Sequence, residues 1–209
     1  MLKLFYAPGT CALATHIVLE EVGADYEMIL IDLAKGEQTG ADYLSVNPKG
    51  RVPALITPQG VLTETPALLV YLAQCFPEAR MAPLQDPFAF ARLQEFNSFI
   101  CSTLHIAHAH RMRGHRWVDD EAAIRAMQRK VPETVGAAWS LIEDHMFQGP
   151  WAMGQHYTVA DAYLFAVALW MEGDGIDPRS FPKVHGHRER MQGRVAVQQA
   201  LEMQSARTT

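Results

Sequence analysis

The chain has 209 residues, of which 49% are hydrophobic and 20% are charged, as in a typical soluble protein of one or two domains. Its formal net charge of −5 gives no electrostatic footprint for nucleic acid or anionic lipid, and no apolar window approaches a membrane span. We therefore expect neither a nucleic-acid partner nor a membrane. The three widely spaced cysteines do not suggest a disulfide framework, which favours a cytoplasmic, reducing location.

The first part of the chain predicts alternating strands and helices. The expected strands cover residues 2–6, 26–32, 53–57 and 60–64, and the expected helices cover 12–23 and 66–76. The first helix has an amphipathic pattern and stops at Gly23, and the turn Pro58-Gln59-Gly60 joins the last two strands as a hairpin. This order predicts an α/β domain built in layers.

Strand signals end at a proline-containing stretch, and the rest of the chain predicts only helices. These helices are expected at residues 88–112, 119–146, 158–172 and 181–203. We therefore divide the chain into a first domain at 1–78, a linker at 79–87 and an all-α domain at 88–209. Thr158 and Asp161 form the pattern of a capping box, which we interpret as a structural helix start.

Cys11 lies between the first strand and the first helix. The N–H groups at a helix start lower the pKa of a nearby thiol and stabilise a thiolate or a bound anion, so Cys11 is a candidate site residue. A buried packing cysteine explains this position equally well. A dithiol redox motif needs a second cysteine at position 14, which is Ala14. Cys75 and Cys101 lie within apolar helical patterns and are expected to pack.

Two further segments carry possible binding features. If Val52-Pro53 is cis, the backbone of Val52 is free to pair with an extended peptide, but a proline that merely opens a strand explains the pair too. Thr65, followed by Pro66, predicts a helix with Thr65 as its N-cap. With Glu64 beside it, this helix start could hold an amino-acid head group, and a capped helix without a ligand is the alternative.

A cluster of histidines suggests a metal site at first sight. His105 and His108 share one helical face, whereas His110 lies away from it. No carboxylate lies between Glu95 and Asp119, so we expect no metal.

Basic residues follow the histidines in this region. They are Arg111, Arg113 and Arg116, and Trp117 stands beside the last of them. In a net acidic chain we interpret them as a solvated helix end or as the polar rim of a second-substrate site.

The order of these motifs resembles that of the cytosolic glutathione transferases. Cys11 after the first strand is followed by "NPKGRVP", then by "ETPALLVYL", then by an all-helical half. The segments "KLFYAPGTCALATHIVLEE" and "GQHYTVADAYLF" are most similar to the bacterial beta class. The resemblance implies a thioredoxin-like first domain that binds glutathione as co-substrate, a helical domain that supplies most of the second-substrate site, a homodimer and a role in detoxification.

The same resemblance assigns roles to individual residues. Cys11 and His105 match the residues that approach the glutathione sulfur. The backbone of Val52, which precedes Pro53, would pair with the cysteinyl unit of glutathione. Glu64 and Thr65 would hold the γ-glutamyl end, although the family commonly has Ser where this chain has Thr65.

Other matches concern the ends of glutathione. Lys35 would face the glycine carboxylate, and Asn97 would reach the glutathione of a neighbouring subunit. Arg51 stands where the family commonly has Gln, so it could add a carboxylate contact or displace a backbone one. Ala12 stands where the family has Ser and removes a hydroxyl near Cys11.

The expected function is therefore attack of bound glutathione thiolate on a small apolar electrophile. Tyr6, which lies where other transferase classes carry a catalytic tyrosine, is expected to belong to the core. Two alternatives remain open: thiol–disulfide exchange or peroxide reduction through Cys11, and a non-catalytic protein that binds glutathione or another ligand.

Overall fold

A computed structural model describes residues 1–205. Its four strands are β1 (Leu2–Tyr6), β2 (Tyr26–Leu30), β3 (Ala54–Thr57) and β4 (Gly60–Thr63). They form one sheet in the order β2-β1-β3-β4, in which β1 and β2 are parallel and the other pairs antiparallel. A parallel pair needs a crossover, which the helix α1 (Ala12–Glu21) provides. The predicted strands and hairpin are confirmed.

The remaining helices follow in chain order. They are α2 (Ala41–Val46), α3 (Thr65–Cys75), α4 (Pro87–Phe99), α5 (His105–Arg113), α6 (Glu121–Leu141), α7 (Val159–Ala168), α8 (Pro182–Gln192) and α9 (Val195–Ser205). The π-helical segment Ile100–Leu104 joins α4 to α5, and Ile142–Met146 extends α6, so the helices predicted at 88–112 and 119–146 are confirmed. Within residues 1–205, no helix is long and apolar enough to cross a membrane.

The structure divides one predicted helix and adds one that was not predicted. The segment 181–203 is not one helix, because α8 ends at its C-cap Gly193 and α9 begins two residues later. Glycine is common where helices end, which explains the break. The short helix α2 was not predicted, since its six residues are too few to show a helical period.

The helix α1 is buried around its whole circumference. Every residue from Ala12 to Leu19 is buried, including Thr15 and His16. The expectation of an amphipathic helix is therefore wrong, because α7 and α9 cover the side of α1 that the sheet leaves open. A helix with no exposed face must be enclosed by its neighbours.

The core is nearly continuous across the chain. One large cluster joins residues of β1, α1 and α3 to residues of α4, α6 and α7, and it includes the fully buried Tyr6. The interpretation of Tyr6 as a core residue is confirmed. A smaller cluster around Phe5, Ile31, Tyr43 and Ala54 lies where α2 packs near the sheet. The chain thus combines an α/β unit with a helical unit.

The start of α7 has the capping box that the sequence predicts. The Asp161 carboxylate, which is fully buried, accepts hydrogen bonds from the backbone N–H of Thr158 at 2.7 Å and of Ala152 at 2.7 Å. His187 contacts the same carboxylate at 3.0 Å. Because these groups are buried together, Asp161 holds a loop and α8 against α7 and has a structural role.

Candidate active site

A cavity of about 390 Å³ lies where the α/β unit meets α5. The turn after β1, the segment before β3 and the start of α3 form one wall, and α5 with the turn after it forms the other. Most of the predicted site residues line this cavity: Cys11, Arg51, Val52, Pro53, Glu64, Thr65 and His105. The Val52–Pro53 peptide bond is cis.

Cys11 is the N-cap of α1, and its side chain is buried in the wall of the cavity. Its Sγ atom accepts a hydrogen bond from the Thr65 hydroxyl at 3.4 Å and lies 3.9 Å from the carbonyl oxygen of Val52. Burial raises the pKa of the thiol, and this exceeds the lowering by Thr65 and by the charge of Arg113. A backbone hydrogen bond at the helix start also lowers this pKa, but desolvation is the larger effect, so the net pKa is raised.

Thr65 does not cap α3 as the sequence predicts. Glu64 is the N-cap, Thr65 is the first helical residue, and no side-chain cap hydrogen bond satisfies the first turn in the described chain. The Thr65 hydroxyl is directed to the thiol of Cys11 instead. It thus supplies a hydroxyl near Cys11 even though Ala12 has none. The uncapped N–H groups at the start of α3 can donate hydrogen bonds to an anion bound in the cavity.

Glu64 has a backbone conformation that is rare for a residue with a side chain. Its φ is +72°, in the left-handed region. Its carboxylate pairs with the Lys49 ammonium at 2.5 Å, and both side chains are largely exposed. Strain of this kind costs on the order of 1–3 kcal/mol and is often found at functional sites.

His105 is half-buried in the cavity wall and packs on Trp170, with the ring centroids 4.9 Å apart. Burial and the neighbouring positive groups His108, Arg113, Arg116 and Arg51 lower its pKa to about 4. At neutral pH the imidazole is therefore uncharged, with one nitrogen that donates and one that accepts.

Two predicted residues are not brought to the cavity. Lys35 is exposed and pairs with Asp32 at 3.1 Å, whereas Arg51 lines the cavity. The contact of Lys35 with a glycine carboxylate stays a prediction. Asn97 is fully buried in α4, and its amide atoms have no hydrogen-bond partner within residues 1–205. In the single chain α4 turns this side chain into the core, and its contact with the glutathione of a neighbouring subunit stays a prediction.

A further group on the cavity wall was missed by the sequence analysis. The indole of Trp170 donates to the carbonyl oxygen of Gly9 at 3.0 Å and stacks on His108, with the ring centroids 4.2 Å apart. The buried Asp174 carboxylate holds the Nδ1 atom of His108 at 2.8 Å and lies 3.3 Å from the Nε atom of Arg111. Only the shared face of His105 and His108 was visible in the sequence.

Metal binding has no support from the described part of the chain. Within residues 1–205, no group of three or more histidine, cysteine or carboxylate side chains could hold a metal ion.

Comparison with known proteins identifies the family and the fold. Residues 1–74 match the family profile "Glutathione S-transferase, N-terminal domain", and residues 103–194 match "Glutathione S-transferase, C-terminal domain". The chain belongs to the glutathione transferase family. It is 35% identical to glutathione S-transferase GstA of Escherichia coli O157:H7 over 96% of this chain and 97% of that protein. The similarity thus extends over nearly the whole transferase.

Solved structures agree with this assignment. A glutathione transferase homologue from Sulfitobacter, with bound glutathione, superposes with a TM-score of 0.95 at 40% identity and covers 97% of this chain and 98% of its own. The beta class glutathione S-transferase of Sphingomonas chungbukensis gives 0.84 at 33% identity, with 97% and 98% covered. The resemblance and the fold that it implies, a thioredoxin-like unit followed by a helical unit, are confirmed.

The strain at Glu64 can be measured directly. Glu64→Gly and Glu64→Ala remove the same carboxylate, but only glycine adopts the positive φ at little cost. We expect the glycine variant to have a free energy of unfolding in urea about 1–3 kcal/mol higher than the alanine variant. Arg80 lies outside the cavity and also has a positive φ, of +53°. Its glycine and alanine variants provide a matched pair for comparison. Equal stabilities of the two Glu64 variants would contradict a strained position.

The protonation of His105 can be followed by NMR as the pH is lowered. We expect its imidazole to titrate near pH 4 in the folded protein and near 6.5 in urea. Because the unfolded chain takes up this proton first, stability is complete above about pH 6.5 and is lost as the pH falls towards 4. His105→Gln should remove that part of the loss. A folded midpoint above pH 6 would show that the site does not hold the ring neutral.

Proposed function

We propose that this transferase binds glutathione along the wall that runs from Val52 to Glu64. It then uses the glutathione thiolate to attack an electrophilic carbon of a second substrate held against α5. The observation that carries this proposal is the meeting of Cys11, Thr65, Val52 and His105 in one cavity between the two units.

Each charged end of glutathione has a suitable partner in the cavity. The γ-glutamyl carboxylate would accept hydrogen bonds from the uncapped start of α3, and its ammonium would pair with Glu64. The cysteinyl unit would pair with the backbone of Val52. The glycine carboxylate would bind Arg51, since Lys35 lies outside the cavity. This arrangement places the glutathione sulfur near Cys11 and His105.

The sulfur must lose its proton before it attacks. The protonated Cys11 thiol and the N–H of the neutral His105 ring can each donate a hydrogen bond to the glutathione thiolate, whose proton passes to solvent. The positive charge of Arg113, which acts on the Cys11 thiol, also favours the anion. A carbon–sulfur bond then forms while the leaving group departs with its electron pair.

Thiol exchange or peroxide reduction through Cys11 is the second candidate. It requires a Cys11 thiolate, and burial of the thiol raises its pKa in the free protein. A binding protein without catalysis would not need Cys11 and His105 together beside one sulfur position. Conjugation therefore has the better support.

We also propose a homodimer. Phe88, at the start of α4, is 77% exposed in the single chain, although large apolar side chains usually find a covering surface. A second chain that packs on α4 would cover it.

Glutathione binding is tested by calorimetry with the reduced peptide. Glu64→Gln should raise the dissociation constant about tenfold or more, because a charge-assisted contact contributes roughly 1.5–3 kcal/mol. Glu121→Gln is the control, since Glu121 is exposed and paired with Arg125 on α6, outside the cavity. An absence of heat at millimolar glutathione would rule out the proposal.

The role of Cys11 is tested by comparing two reactions. If Cys11 orients the glutathione sulfur, Cys11→Ser and His105→Ala should each slow conjugation, and their effects should not add because both act on one atom. If exchange dominates, Cys11→Ser should abolish disulfide reduction and slow conjugation only slightly.

Mass spectrometry after treatment with oxidised glutathione locates any adduct. A mixed disulfide at Cys11 would place its thiol beside bound glutathione. Cys75 is exposed, so the expectation that it packs is wrong. An adduct at Cys75 or at Cys101, with none at Cys11, would identify Cys11 as a packing residue.

A further inference from the structure

The cavity carries more positive charge than negative. Arg51, Arg113 and Arg116 line it, and Glu64, the one acidic residue of its described lining, is already paired with Lys49. Within residues 1–205, none of these three arginines forms a salt bridge. Other arginines do find carboxylates, namely Arg92, Arg125, Arg179, Arg188 and Arg194. Three arginines without a salt bridge thus line one cavity, whereas Arg80, Arg129 and Arg190, which also form none within residues 1–205, lie outside its lining.

These arginines lie close enough to one another to repel. Burial, followed by the charges of Arg113 and Arg51, lowers the pKa of Arg116. All three also lower the pKa of His105. Like charges without a partner destabilise the folded protein, and a bound anion would relieve that repulsion.

Glutathione accounts for only part of this charge. This step rests on the proposed function, in which Arg51 takes the glycine carboxylate and the start of α3 takes the γ-glutamyl carboxylate. Arg113 and Arg116 then remain on the opposite wall, at the end of α5 and in the turn that follows it. Arg113 is also near the reacting sulfur, because its charge acts on the Cys11 thiol.

Apolar side chains accompany these two arginines. Ile106, Met112 and Trp117 line the same cavity and are 39%, 71% and 45% exposed. Apolar groups left open beside unpaired cations favour a ligand that is apolar in one part and anionic in another. The planar guanidinium group matches the geometry of a carboxylate.

We propose that the second substrate is an electrophile whose apolar body carries a carboxylate, which Arg113 and Arg116 bind. The apolar body lies against Ile106, Met112 and Trp117, so that the electrophilic carbon faces the glutathione sulfur.

Two matched electrophiles test this proposal, 4-chloro-3-nitrobenzoate and its neutral analogue 4-chloro-3-nitrobenzamide. In both, the glutathione thiolate forms a carbon–sulfur bond and chloride leaves with the electron pair of the carbon–chlorine bond. Each kcat/KM is divided by the rate constant of the uncatalysed reaction, which removes the difference in intrinsic reactivity. We expect the normalised value to be at least about tenfold higher for the benzoate.

Arginine variants show whether this preference comes from the cavity. Arg116→Gln should lower the benzoate-to-benzamide ratio about tenfold, chiefly through KM, as expected for the loss of a charge-assisted contact. Arg125→Gln, on the exposed face of α6, should leave the ratio unchanged. Equal effects of Arg116→Gln on both substrates, or a wild-type ratio near one, would overturn the proposal.

A binding measurement separates this inference from the proposed function. Quenching of tryptophan fluorescence by 3-nitrobenzoate and 3-nitrobenzamide, which lack a leaving group, is titrated with and without glutathione. Tighter binding of the benzoate that weakens with added salt supports the anion site. Normal glutathione binding without a preference for the benzoate overturns this inference alone. Loss of glutathione binding with the preference retained overturns the proposed function instead.

Discussion

The burial of α1 on all sides from Ala12 to Leu19 is the constraint on which the site depends. The sheet and α3 cover one part of this helix, and α7 and α9 cover the rest. Because no face of α1 is left for solvent, the α/β unit and the helical unit must pack as one body. The N-terminal end of α1, with Cys11, is thereby held at their junction and faces α5 across the cavity.

Polar contacts strengthen the same junction at both ends of α1. At its start, Trp170 donates to the carbonyl of Gly9, whose φ of +71° suits a residue without a side chain. At its end, Glu21 accepts two hydrogen bonds from Arg194, at 2.5 and 2.7 Å. Bidentate pairs of this kind fix orientation as well as distance. The position of His105 relative to Cys11 therefore depends on contacts that hold the two units together at both ends of α1.

Desolvation then sets the charge state of the site. Burial raises the pKa of Cys11 and lowers that of His105, so both groups are neutral at pH 7. The positive charge of the cavity comes from its arginines, which keep their protons under all ordinary conditions. In the proposed complex, two neutral hydrogen-bond donors beside the glutathione sulfur, within a cationic cavity, favour chemistry on the ligand's thiolate over chemistry on the protein's own cysteine.

The sequence by itself determined the features that depend on neighbours in the chain. These features depend on spacing within a few residues, where backbone geometry alone decides which groups meet. They are the order of strands and helices, the hairpin at residues 58–60, the capping box of Asp161 and the family motifs. Only the tertiary structure decided which faces were covered and which charges were desolvated. It buried α1 from Ala12 to Leu19 and turned Thr65 towards Cys11. It also left Lys35 and Asn97 outside the cavity lining and joined Asp174 to His108 across 66 residues. These outcomes depend on contacts between distant segments. Burial raises the pKa of Cys11, and a residue is buried only after those segments have packed.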